Sequence, residues 1–102
     1  MAKNVMMVVF VLPNSLRRWV SGNSEVKVFA VAAEQDAPPT LGSALDMLRR
    51  THPLLEERLR DDCGRIRRHI HMIVCGENAR GLGGLDCALP PGAEVYVMPA
   101  LA

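Results

Sequence analysis

The feature that most constrains this chain is the run Val5-Met-Met-Val-Val-Phe-Val-Leu12, eight apolar residues stopped by Pro13. It is short, rich in valine and ends on a residue that cannot continue a ladder, so it reads as a strand rather than a helix. Its unbroken apolarity implies that both faces are covered, or that one face is kept for a partner. Eight residues fall far short of a bilayer span, and no A-x-A-like cleavage site follows soon after Pro13. A membrane segment and a secretory signal are therefore not expected.

The remaining elements follow from local signals. Asn14 to Ser24 is turn-like, with Leu16 and Trp19 placed to tuck under a sheet edge. Glu25 to Ala33 is a second strand, in which Val26 and Val28 alternate with Lys27. Thr40 is suited to cap a helix whose Leu41, Ala44, Leu45 and Leu48 share one face. Pro53 ends that helix near Thr51 and opens a second, shorter one that stops before Gly64. Ile70, Met72 and Val74 alternate in a third strand, Gly76 to Asn78 is a turn, Ala79 to Ala88 is an irregular loop, and Glu94 to Met98 is the last strand. The order is α+β: one sheet under one main helix. Parallel pairing of the first and last strands at its centre makes the β-grasp, or ubiquitin-like, roll of four to five strands.

At 102 residues the chain is a single domain, 1–102, with a C-terminal tail at 98–102. Twelve basic against eleven acidic side chains leave a net charge of +1, which excludes a bulk electrostatic case for nucleic acid or an anionic membrane. Three cysteines, none in a C-x-x-C pair, fit free thiols in a reducing cytoplasm.

Catalytic and metal signals are weak. Gly81-Leu82-Gly83-Gly84 lacks the Lys-Ser/Thr of a phosphate loop and reads as a turn needing positive φ. His69 and His71 share a strand face but lack a second ligand pair, so no metal is expected. Glu56-Glu57 and Asp61-Asp62 read as a solvated acidic face. Arg58, Arg60, Arg65, Arg67 and Arg68 form either a docking patch for an acidic partner or, preferably, a solvated loop diluted by those carboxylates. The informative place is the last strand. Val95 and Val97 face the core, so Tyr96 and Met98 face away, where Val9, Val11 and Ile73 can join them. Such a patch marks a partner-docking face, unless the Arg17–Trp19 region folds over it.

Pieces spread along the chain resemble the ubiquitin-like sulfur carriers of the ThiS/MoaD type. They are Val8-Val9-Phe10-Val11-Leu12-Pro13-Asn14-Ser15-Leu16-Arg17 and Thr40-Leu41 leading to the Thr51-His52-Pro53 break. Asp62-Cys63-Gly64-Arg65-Ile66-Arg67-Arg68 is similar to the family's D-x-G-x-L-R-R, and Val74-Cys75-Gly76-Glu77-Asn78-Ala79-Arg80 to its V-N-x-E-D-I-R. Gly83-Gly84-Leu85-Asp86, Pro91-Gly92-Ala93-Glu94-Val95 and Met98-Pro99-Ala100 complete the set. The resemblance implies a β-grasp fold and a protein that is not itself an enzyme. It implies that a ubiquitin-activating-enzyme-like adenylyltransferase, using ATP, activates the tail Met98, Pro99, Ala100, Leu101 and Ala102. The tail then becomes a thiocarboxylate that supplies sulfur to a synthase in cofactor, cysteine or thio-metabolite biosynthesis. No cofactor is bound by the carrier itself. Family members end in Gly-Gly, and Ala102 stands where that pair is expected to follow; two residues are about 7 Å of extended chain. A non-carrier adaptor that docks a partner enzyme through its apolar sheet face is the alternative.

Overall fold

The structure is a computed structural model that describes residues 5–32, 34 and 36–99. Strands β1 (Val5–Val11), β2 (Glu25–Val31), β3 (Ile70–Val74), β4 (Glu77–Asn78) and β5 (Glu94–Pro99) form one sheet in the order β2-β1-β5-β3-β4. Strand β1 runs antiparallel to β2 and parallel to β5. Two helices, α2 (Leu41–Thr51) and α3 (Pro53–Leu59), cover one face only, which is the expected β-grasp roll. A single turn of helix, α1 (Asn14–Arg17), and a 3₁₀ turn at Arg18–Val20 occupy the segment expected to be irregular.

Alternation decides which side chains enter the core. Val8 and Phe10, Val26, Val28 and Ala30, Ile70, Met72 and Val74, and Val95 and Val97 are buried on the helix side of the sheet. Leu41, Ala44, Leu45 and Leu48 of α2 and Leu55 and Leu59 of α3 meet them. The continuous run of β1 thus has one buried and one half-open face. Helix α2 starts at a capping box: the Ser43 amide donates to Thr40 Oγ1 at 3.2 Å, and the Thr40 amide donates to Ser43 Oγ at 3.0 Å. Gly42 lets this first turn lie close to the 3₁₀ turn Gly84–Asp86, because a Cβ there would come 3.1 Å from the Leu85 carbonyl oxygen.

The two helices are tied together by charge. Glu56 is not part of a solvated acidic face, as its neighbour Glu57 had suggested; it is 3% exposed. Its carboxylate accepts from Arg60 Nε on the next turn and from Arg49 Nε at 3.2 Å. Arg60, 5% exposed, also reaches Asp46 of α2 at 2.9 Å. The kink at His52–Pro53 folds α3 back beside α2, which brings these four groups together. Removing one partner of a buried pair leaves the other uncompensated, so Glu56→Ala is expected to cost about 3–5 kcal/mol in urea unfolding. The paired Glu56→Leu/Arg60→Met exchange is expected to recover most of that loss.

The β3–β4 connection also differs from a plain turn. Cys75 and Gly76 both have positive φ, 52° and 81°, and join Val74 to its partner Glu77 as a two-residue hairpin. Left-handed backbone is costly for cysteine and cheaper for asparagine, the residue at this place in the V-N-x-E-D-I-R pattern. Cys75→Asn is therefore expected to raise stability by about 1 kcal/mol, read from the urea midpoint at unchanged m-value.

Candidate functional site

Val9, Val11, Ile73, Tyr96 and Met98 lie together on the face of the sheet opposite the helices. Strand register puts Val11, Tyr96 and Ile73 in one row across β1, β5 and β3, with Met98 opposite His71 in the adjoining register. Val9 lies between Lys27 and Glu94. Tyr96 is 44% and Met98 52% exposed, whereas Val9, Val11 and Ile73 are half-buried.

The Arg17–Trp19 region does not fold over this face. Leu16 and Val20 are buried in the core, and the Arg58 guanidinium of α3 lies 4.1 Å from the centre of the Trp19 ring. The segment closes the end of the helix layer instead. Sequence reasoning missed a second apolar group on the open face: Val5 and Met7 opposite Val31 and Phe29, with Phe29 59% exposed. The signal was present. Phe29 and Val31 share the parity of Lys27, and Val5 and Met7 share that of Val9.

Strand β5 carries the tail out beside the start of β3. Pro99 lies opposite Ile70, while Ala100, Leu101 and Ala102 fall outside the described residues. The Arg80 guanidinium holds that strand start in place, donating to the Ile70 carbonyl at 2.9 Å and the Arg67 carbonyl at 2.8 Å. Asn78 prepares this reach: its Oδ1 accepts from the Arg80 amide at 3.0 Å, and its Nδ2 lies 2.8 Å from His71 Nδ1. The Val74–Arg80 motif is thus a hairpin, a cap and a clamp on the strand beside the tail.

The arginine group divides. Arg60 is buried in the helix–helix network, Arg58 and Arg67 line a groove with Pro99 at the tail root, and Arg65 and Arg68 line the adjoining groove with Arg67. Among the described residues, no three of His, Cys, Asp and Glu lie together as a metal-holding group. Cys63 and Cys75 are exposed, and burial pushes the Cys87 thiol up from its ordinary value. Among the described residues no helix is long and apolar enough to cross a membrane.

No protein-family model matches the chain. The sulfur carrier protein CysO of Mycobacterium tuberculosis is 31% identical to it over 93 residues, covering 89% of this chain and 91% of that protein. The chain belongs to the CysO family of ubiquitin-like sulfur carriers. Solved structures agree. The crystal structure of M. tuberculosis CysO superposes with a TM-score of 0.73 at 29% identity, over 92% of this carrier and 99% of that chain. A chain of the Amycolatopsis orientalis BexX/CysO complex matches with a TM-score of 0.75 at 25% identity, covering 93% of this carrier and 97% of that chain. Small archaeal modifier protein 1 of Haloferax volcanii matches with a TM-score of 0.70 at 31% identity, over 94% and 97% of the two chains. These relatives are small carrier and modifier proteins rather than enzymes.

The loop before β3 in this carrier is held by one carboxylate. Asp61 Oδ1 accepts the amides of Arg65 at 3.0 Å and Cys63 at 2.9 Å. The Arg65 amide bond is the largest cause that holds its carboxyl below the usual value of 3.8; partial desolvation opposes it. A depressed folded value means that this latch is fully formed above pH 3.8 and is lost as pH falls through the lower folded value. Carboxyl-carbon NMR titration is expected to give Asp61 a midpoint below 3.8, with the Cys63 and Arg65 amide signals moving at the same midpoint.

Proposed function

We propose that this chain is a cytoplasmic sulfur carrier that works through its C-terminal tail, Met98 to Ala102, and is not itself an enzyme. A ubiquitin-activating-enzyme-like adenylyltransferase joins the terminal carboxylate to the α-phosphate of ATP and releases pyrophosphate. A sulfide equivalent then attacks the acyl carbon and displaces AMP, leaving a thiocarboxylate. A synthase accepts that sulfur in cofactor, cysteine or thio-metabolite biosynthesis. Val9, Val11, Ile73, Tyr96 and Met98 form the face that docks the partner enzymes.

The observation that carries this reading is the similarity to CysO over 89% of the chain. The sheet geometry supports it. Strand β5 is central, its last residues Val97 to Pro99 pair with β3, and Tyr96 and Met98 connect the apolar face to that exit. Tight, well-packed aromatic anchors supply much of the energy at protein interfaces, which favours Tyr96 as the central contact. The matched chain of the BexX/CysO complex comes from an assembly of two proteins, in keeping with a fold of this kind docking a partner.

The test is the intact mass of the protein isolated from its own cells, with the C-terminal peptide sequenced. A fraction carrying the sulfur-for-oxygen mass shift at the last residue is the expected result. In a reconstituted reaction with the adenylyltransferase, ATP and sulfide, Tyr96→Asp is expected to raise the KM for the carrier at least about tenfold, because a charge is placed at the centre of an apolar contact. An unmodified tail, together with partner binding that survives removal of residues 100–102, would replace the carrier reading with that of an adaptor.

A further inference from the structure

The end of the molecule from which the tail leaves is a cationic rim around an apolar floor. Leu16, Ile70 and Pro99 contribute to the floor of a groove of about 360 Å³, and Arg58, Arg67 and His69 line it. Arg67 and His69 also line the adjoining groove, which continues the rim through Arg65 and Arg68. Net charge over the whole chain is only +1, so this is a local segregation of charge. The carboxylate that lines the second groove, Asp61, is occupied by its own loop and by Arg65 at 3.6 Å. Among the described residues no carboxylate pairs with Arg58, Arg67 or Arg68.

We propose that this rim docks an acidic protein surface: the carboxylate-lined mouth of the partner that receives the tail. The inference rests on the carrier reading for which partner that is. Its chemistry rests on the rim alone. A tail residue advances at most about 3.6 Å, so a partner that grips the chain just beyond Pro99 sits against these side chains. The cations are spread over two adjoining grooves, Arg58 on one, Arg65 and Arg68 on the other, and Arg67 and His69 on both. Arg58 is stacked on Trp19, and Arg67 donates its Nε to the Glu57 carbonyl at 3.1 Å, so each guanidinium is held in place with its outer N–H groups turned to the surface partner. A spread of exposed positive charge beside apolar contact area suits a protein surface, steering the tail towards its channel and fixing its orientation.

The test is an amide NMR titration of the full chain with an oligo-glutamate peptide, an oligo-lysine peptide of equal length and inorganic pyrophosphate. Oligo-glutamate is expected to shift the amides of Leu16 and of Arg67 to Ile70 saturably, with affinity falling as salt is raised, while oligo-lysine shifts none of them. Arg68→Glu is expected to weaken that affinity at least about fivefold. Lys27→Glu changes net charge equally on the outer face of the sheet, and is expected to leave the affinity within about twofold, because separated surface charges are screened. Tighter saturation of the same amides by pyrophosphate would make the rim a phosphate site and overturn the proposal. Absent shifts, or equal losses in both variants, would also overturn it. No ATP or adenylyltransferase enters this titration, so its outcome stands apart from that of the thiocarboxylate experiment.

Discussion

Parallel pairing of β1 with β5 joins the two ends of the chain at the middle of the sheet, Phe10 opposite Val95 and Val11 opposite Tyr96. Parallel neighbours cannot be joined by a tight turn, so everything from β2 to β4 is inserted between them as connection. That insertion must cover the apolar face that the pair presents, and α2 and α3 do so from one side. The same pairing fixes where the chain leaves. Glu94 to Tyr96 pair with β1, whereas Val97 to Pro99 pair with β3 alone, so the tail begins against the start of β3, beside Ile70 and the Arg80 clamp.

Two short helices cannot cover both faces of a five-stranded sheet. The uncovered face retains Val5, Met7, Phe29 and Val31 at one end and Val11, Tyr96, Ile73 and Met98 towards the tail, with Lys27 and Glu94 flanking Val9 between them. Leaving such a surface in water forgoes burial worth roughly 25 cal/mol per Å² of apolar area, a loss that a docked partner would remove. Charge is distributed to match. Glu56 and Arg60 neutralise each other inside the helix layer, while Arg58 and Arg67 line the groove beside Pro99.

Much of this was legible from period and punctuation. Alternation in Val26–Val28, Ile70–Val74 and Val95–Val97 assigned the buried side of three strands, and the same parity placed Tyr96, Met98, Val9, Val11 and Ile73 on the other. Thr40 and Pro53 marked the helix start and break through local backbone chemistry. Short-range signals failed where distant groups decide. Leu16 and Val20 pull Asn14–Val20 into helical turns because the core is waiting beneath them. Glu77–Asn78 becomes a strand because Ile73 and Val74 offer a free edge.

By itself the sequence determined what depends on neighbours in the chain: the valine-rich strand, the capped helix, the proline break and the parity that separates core from open face. Tertiary structure decided what depends on groups far apart in the chain. It buried Glu56 by folding α3 back beside α2, which places Arg49 against its carboxylate and Asp46 against Arg60 fourteen residues away. It swung Trp19 onto Arg58 and away from the open face, so that face stays bare. It also gathered Leu16, Arg58, Arg67, His69 and Pro99 around one groove, from four parts of the chain that only the fold brings together.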